Sequence, residues 1–211
     1  MRRGLLVSGG QSVSKEILMP YQEDFILCAD GGLRTLQKYG MIPDLVMGDM
    51  DSMDEKSFQY LKKHHIKTIT YPREKDGTDT ELCLWKFAEM GMEEVIIVNA
   101  LGTRMDHSLA NMYGLVYLKK KGIKGKILDD HNEIYYCEVG EYKFSQNDKK
   151  YISFLPVTEQ MTYSSNGLRY ETHHLTICRP YAGHGISNEI LGQIAIITIE
   201  KGACFIMLTK D

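Results

Sequence analysis

The chain has 211 residues, with 25 Lys and Arg against 28 Asp and Glu and a formal net charge of −3. Hydrophobic residues make up 43% and charged residues 25%, which is the balance of a globular protein with one large core or two small ones. The longest basic run, Lys119, Lys120 and Lys121, reads as the solvated end of a helix. No footprint for nucleic acid remains, and no apolar run approaches the length of a membrane span.

Taken in chain order, the first part alternates strand-like and helix-like stretches. Segments 4–10 (GLLVSGG), 24–30 (DFILCAD), 44–49 (DLVMGD), 66–72 (IKTITYP) and 93–102 (EEVIIVNALG) are short and apolar and predict strands. Segments 33–40, 52–64, 78–91 and 108–122 show helical spacing, and several end at glycine. Continuously apolar strands predict a parallel sheet covered on both faces. Right-handed crossovers then gather all strand C-termini on one edge.

The pattern changes near residue 125. From there EIYYCEVG, EYKFS, YISFLPVT, MTYSSNGLRYE, HLTICR, QIAIITIEKG and ACFIMLTK are strand-length, often alternating, and separated by turn residues. The expected fold is α/β: a Rossmann-like parallel-sheet domain over residues 1–128, then an antiparallel β-sandwich over 129–211. Cys28, Cys83, Cys137, Cys178 and Cys204 are scattered and form no C-x-x-C pair. They predict buried free thiols in a reducing compartment. The apolar run in MRRGLLVSGG is too short for a signal peptide, so a cytoplasmic protein is expected.

In open parallel sheets, ligands bind beyond the strand C-termini. Four predicted strands deliver acids to that edge: Asp30, then Asp49 with Asp51, then Asp76 with Asp79, then Asp106. In an extended chain, period-two spacing points Asp49 and Asp51 the same way. Clustered carboxylates repel unless a cation lies between them, and magnesium, shared between carboxylates and phosphates, suits such a site. Arg73, Lys75 and Arg104 stand in the same loops and suit phosphate. Gly9-Gly10 and Gly31-Gly32 would let backbone amides approach it. Each acid also has a local reading. Ser52 with Glu55 and Thr78 with Glu81 can form capping boxes, Asp106 can cap the helix near Ser108, and His107 reads as a packed or capping histidine. Neither a P-loop motif nor a G-x-G-x-x-G after the first strand occurs.

Segments ADGGLRTL, GMIPDLVMGDMDS, KDGTDTELCL, GTRMDHSLANMYGL and ISNEILGQ together resemble the thiamine pyrophosphokinase family, in its order and over nearly the whole chain. That resemblance implies an α/β nucleotide-binding domain followed by a β-sandwich that binds thiamine and dimerises. It implies transfer of a diphosphoryl group from ATP to thiamine, giving thiamine diphosphate and AMP. It also implies Mg2+ on Asp49, Asp51 and Asp79, with Asp76, Arg104 and Asp106 in the chemistry. Asp30, Gly31, Arg73, Lys75 and Thr78 would serve the phosphate side. Ser187 and Asn188 would contact thiamine across a homodimer interface, and Phe205 is the candidate stacking ring. Asp76 and Asp106 are both candidates for general base.

Other readings of D-x-D are a dehalogenase-type phosphatase, whose motif wants Thr or Val where Met53 stands, and a metal-dependent glycosyltransferase. A thiamine- or nucleotide-binding sensor without turnover is the non-enzymatic alternative.

Overall fold

The computed structural model describes residues 2–50, 53–72, 74 and 76–211, except for the side chain of residue 30. The chain divides into two compact units, Met1–Asp130 and His131–Asp211.

The first unit carries strands β1 (Arg3–Val7), β2 (Phe25–Ala29), β3 (Leu45–Gly48), β4 (Lys67–Thr70), β5 (Glu94–Val98) and β6 (Lys124–Leu128). All pair in parallel, in the order β4-β3-β2-β1-β5-β6. The helices are α1 (Lys15–Leu18), α2 (Leu33–Tyr39), α3 (Glu55–Lys63), α4 (Asp79–Glu89) and α5 (Met105–Lys120). One sheet face buries Leu5, Val7, Ile26, Cys28, Val46, Ile96 and Val98 with Leu18, Leu33, Leu36 and Leu61 from helices. Leu6, Leu27, Met47, Val95 and Ile97 alternate with these along the strands and are buried too. Both faces are therefore covered, which is why the strands read as unbroken apolar runs. The edge strand β4 is the exception, largely exposed despite its apolar flanks.

Local signals set the helix ends. Gly40, Gly91 and Gly122 follow α2, α4 and α5 with φ of 70°, 67° and 73°, a left-handed stop that glycine adopts without strain. Thr78 and Glu81 form the expected capping box on α4: Glu81 N donates to Thr78 Oγ1 (3.2 Å) and Thr78 N to Glu81 Oε2 (2.9 Å). Two caps differ from expectation. α3 starts at Glu55, so Asp54 is its extended N-cap and accepts from Ser57 N at 2.9 Å. Ser52 lies outside the described residues. α5 starts at Met105, which places Asp106 within its first turn and Arg104 at the N-cap. The periodicity did not signal α1, only one turn long, or β6, whose KGKIL sequence carries two lysines and a glycine.

The second unit has β7 (Asn132–Cys137), β8 (Gly140–Ser145), β9 (Tyr151–Pro156), β10 (Gln160–Asn166), β11 (Leu175–Cys178), β12 (Ile194–Lys201) and β13 (Cys204–Thr209). β13 pairs antiparallel with β7 and β9, and a four-stranded antiparallel sheet runs β11-β10-β12-β8. Inward residues of both sheets, among them Ile152, Phe154, Tyr163, Ile197 and Ile206, form one core. At its centre Phe154 stacks on Tyr163 with ring centroids 4.6 Å apart. Cys28, Cys83, Cys137 and Cys204 are buried thiols, and Cys178 is half-buried. Among the described residues no helix is long and apolar enough to cross a membrane.

Candidate functional site

The strand order locates the site. The chain runs outward from β1 through β2 and β3 to β4, then returns to β5 on the other side of β1. The crevice at such a reversal, beyond the strand C-termini, is where open α/β sheets bind ligands. A cavity of about 720 Å³ lies there. Its walls are the loop after β1 (Gly9, Gly10, Gln11), Gly31 after β2, Asp49 after β3, Thr78 to Thr80 at the start of α4, and residues 100–104 after β5. His107, Ser108 and Asn111 of α5 complete it.

Close backbone approach makes this crevice. Gly10 N donates to Asn99 O and Gln11 N to Leu101 O, both at 2.8 Å. A Cβ on Gly10 would stand 2.5 Å from Asn99 O and 2.6 Å from Leu101 O, and one on Gly32 would stand 2.3 Å from Val7 O. Glycine is required at both positions by packing of one loop on another. Gly31 lies against Gly9, with 3.1 Å from its would-be Cβ to Gly9 Cα, and both also line the cavity.

Polar side chains brace the loops. Asn99, 1% exposed, donates to Thr35 Oγ1 (2.8 Å) and accepts from Val13 N (3.0 Å). Ser8 and Thr80 share a buried hydroxyl pair at 3.1 Å. Ser108 Oγ accepts from Gly102 N (3.1 Å) and donates to Arg104 O (3.0 Å), while Asn111 Nδ2 donates to Ala100 O (2.6 Å). None of these was read from the sequence as functional. The available signals were an asparagine at the end of a buried strand, where φ is 52°, and the i, i+3 spacing of Ser108 and Asn111 on one helix face.

Of the expected metal ligands, Asp49 and Asp79 line the cavity, both half-buried. Asp51 lies outside the described residues, as do Arg73, Lys75 and the side chain of Asp30. Gly31, Thr78 and Arg104 also line the cavity. Arg104 is exposed and forms a forked ion pair with Asp106, Nε to Oδ1 at 3.2 Å and Nη2 to Oδ2 at 2.5 Å. The guanidinium, helped by the His107 backbone N–H, holds the Asp106 carboxyl down at about 2. Asp76 and Asp106 are exposed and outside the lining. His107, expected to pack or cap, is exposed and faces the cavity, because α5 begins three residues earlier than its spacing implied.

The other expected residues belong to the second unit. Ser187 is exposed with φ of 60°, and its N–H donates to Ser153 Oγ at 3.0 Å. Asn188 is buried and its amide is committed: Oδ1 accepts from Tyr170 N and Glu189 N, and Nδ2 donates to Tyr170 O. Phe205 is 6% exposed, edge-on to Tyr136 at 5.9 Å. Its strand neighbours Cys204 and Ile206 enter the sandwich core, so Phe205 faces the opposite side of its sheet.

Residues 19–127 match the family model for the thiamin pyrophosphokinase catalytic domain, and residues 141–204 match that for the thiamin pyrophosphokinase vitamin B1 binding domain. The thiamine pyrophosphokinase of Bacillus subtilis (strain 168) is 30% identical over 212 residues, covering 98% of each chain. The crystal structure of a Bacillus subtilis thiamine pyrophosphokinase superposes with a TM-score of 0.91 at 27% identity, covering 99% of both chains. That of a thiamin pyrophosphokinase family protein from Enterococcus faecalis gives 0.85 at 25% identity, again over 99% of both.

Proposed function

The chain belongs to the thiamine pyrophosphokinase family, and from that premise we propose that it transfers the diphosphoryl group of ATP to the hydroxyl of thiamine, yielding thiamine diphosphate and AMP. The observation that carries this is the site itself: two acids and two helix N-termini, those of α4 and α5, meet in one cavity at the sheet's reversal point. The phosphatase and binding-only alternatives gain no support from the family matches.

In the reaction the thiamine oxygen bonds to the β-phosphorus, and the bond from that phosphorus to the α–β bridging oxygen breaks, releasing AMP. Such transfers ask the protein for alignment and charge neutralisation more than covalent chemistry. The N-termini of α4 and α5 present partial positive charge to the phosphates, and the tight glycine loops leave room for them. Arg104 offers a planar fork to the phosphate oxygens. Asp106 holds that fork; with its carboxyl held at about 2, it is a weak base and aims the arginine instead. Asp76 is then the candidate to take the hydroxyl proton.

The donor set fits a hard divalent cation, since Asp49 and Asp79 bring carboxylate oxygens to one cavity. Mg2+ held by them with Asp51 would neutralise phosphate charge. Gly31 and Thr78 line the cavity and suit its phosphate side, where the family resemblance would add Asp30, Arg73 and Lys75. On the thiamine side, exposed Ser187 offers a hydroxyl, while the buried Asn188 amide braces the adjoining backbone of Tyr170 and Glu189, and Phe205, 6% exposed, is too buried to offer its ring face to thiamine without rearrangement. The two units are then a catalytic nucleotide-binding domain and a thiamine-binding domain. The enzyme works in the cytoplasm as a homodimer, with its active site at the subunit interface. Exposed Met105, Leu109 and Tyr113, spaced i, i+4, i+8 along α5, support a partner surface beside the cavity.

The product assay tests the reading. With ATP, thiamine and Mg2+, the nucleotide product is AMP. ADP with thiamine monophosphate would reject diphosphoryl transfer, and binding of both ligands without product would make the protein a sensor.

A further inference from the structure

Asn111 stands in the second turn of α5, 7% exposed, and lines the cavity. Its amide orientation is fixed by chemistry: only Nδ2 can donate to the Ala100 carbonyl, 2.6 Å away. Oδ1 must therefore point elsewhere. Among the described residues it meets no donor of the chain, yet no fully buried side-chain nitrogen or oxygen among them lacks a partner. Oδ1 is consequently accessible, and the open space beside this otherwise buried side chain is the cavity. An acceptor so placed would lose solvation when a ligand fills the site, and it is compensated only by a ligand donor.

We infer that Asn111 Oδ1 is a specificity-determining acceptor for the nucleoside half of ATP, taking a hydrogen bond from its adenine amine or from a ribose hydroxyl. This rests on the nucleotide reading of the cavity. The phosphate groups carry no donor, and Asp49, Asp79 and the helix N-termini already suit them. Asn111 cannot rotate to serve a ligand acceptor without abandoning Ala100 O, so it discriminates in one direction: it favours a donor and penalises a keto group or a missing hydroxyl at the same place.

The test couples the residue to single ligand atoms. ATP, inosine triphosphate, 2′-deoxy-ATP and 3′-deoxy-ATP are compared on the wild type and on Asn111→Ala, reading both KM and direct binding by titration calorimetry. In the wild type, one analogue binds roughly three- to tenfold more weakly than ATP, the effect of one neutral hydrogen bond, and in Asn111→Ala that penalty disappears. The inosine nucleotide identifies the base as the source, and a deoxy analogue identifies the sugar. A general loss from a slack Ala100 loop would instead weaken all four nucleotides equally and preserve the penalty, which overturns the inference. If Asn111→Ala fails to fold, the wild-type series decides: no analogue weaker than ATP overturns it. AMP formation is followed in parallel, so coupling absent from an active enzyme rejects the role of Asn111 alone. Coupling in binding without AMP rejects the reaction alone.

Discussion

Asn99 Nδ2 donates to Thr35 Oγ1 across 2.8 Å, tying the end of β5 to α2. Oδ1 of the same asparagine takes Val13 N at 3.0 Å, and Thr35 Oγ1 shares a 2.7 Å bond with Ser12. Asn99→Ala removes two buried bonds and leaves alanine at φ 52°. It is expected to lower the unfolding free energy by about 2–4 kcal/mol. Urea denaturation measures this, and a loss under about 0.5 kcal/mol would show that the brace contributes little.

The two glycines after β1 are not equivalent. A Cβ on Gly10 meets backbone oxygens at 2.5 and 2.6 Å, whereas one on Gly9 meets nothing nearer than 3.5 Å. Gly10→Ala is expected to destabilise by roughly 1–3 kcal/mol and, by spreading the cavity walls, to lower kcat/KM for ATP about tenfold or more. Gly9→Ala should unfold at nearly the wild-type denaturant concentration. Equal stability losses in the two variants would contradict the loop-packing account.

Chelation with EDTA is expected to abolish turnover, and added Mg2+ to restore it. Asp49→Asn and Asp79→Asn keep shape but remove charge, so each should cut kcat by roughly a hundredfold or more and raise the Mg2+ concentration for half-activity. Circular dichroism should show both folded. An unchanged Mg2+ requirement in either variant removes that aspartate from the site.

Asp106 offers a pH signature. Arg104 holds its folded value at about 2, below the ordinary carboxylate value near 4. Any stabilisation from the pair is therefore present above roughly pH 4 and is lost as pH falls towards 2. Both side chains are exposed, so the effect on stability is small and the titration itself is the readout. In Arg104→Met the carboxyl should titrate near 4 by carbon NMR. A value still near 2 would assign the shift to the backbone N–H of His107.

Thiol accessibility follows burial. In the native protein an aromatic disulfide reagent should label one cysteine, Cys178, and in denaturant all five. Burial pushes the Cys204 thiol further up, away from the reactive thiolate. Rapid native labelling of Cys204 would mean that the sandwich opens readily.

The α/β-then-β order, the seven strands of the second unit and the cavity edge were all legible, because buried parallel strands leave unbroken apolar runs and sandwich strands alternate. β6 was not, since KGKIL places two lysines and a glycine around one fully buried isoleucine. Asp49 and Asp79 could be placed at the cavity from strand ends alone. Asn99, Ser108 and Asn111 could not, because their roles depend on which carbonyls and amides fold back within reach, and periodicity carries no such information. The start of α5 shows the same limit. The Ser108 backbone N–H donates to Arg104 O at 3.0 Å, so the helix extends back past the residue that looked like its cap.

The reversal between β1 and β5 also sets an order of events. Val13 and Asn99, which clasp each other beside the cavity, are 86 positions apart, so the crevice has only one wall until β5 and the start of α5 have joined the sheet. Closing a contact of that separation is slow and comes after local structure. A chain still emerging from the ribosome has no place to hold a nucleotide until most of its first unit has been made. Nucleotide capture therefore waits on the first unit alone, whose residues line the whole cavity, and because a bound ligand favours the closed form by mass action, the substrate itself helps to hold the last-formed wall in place.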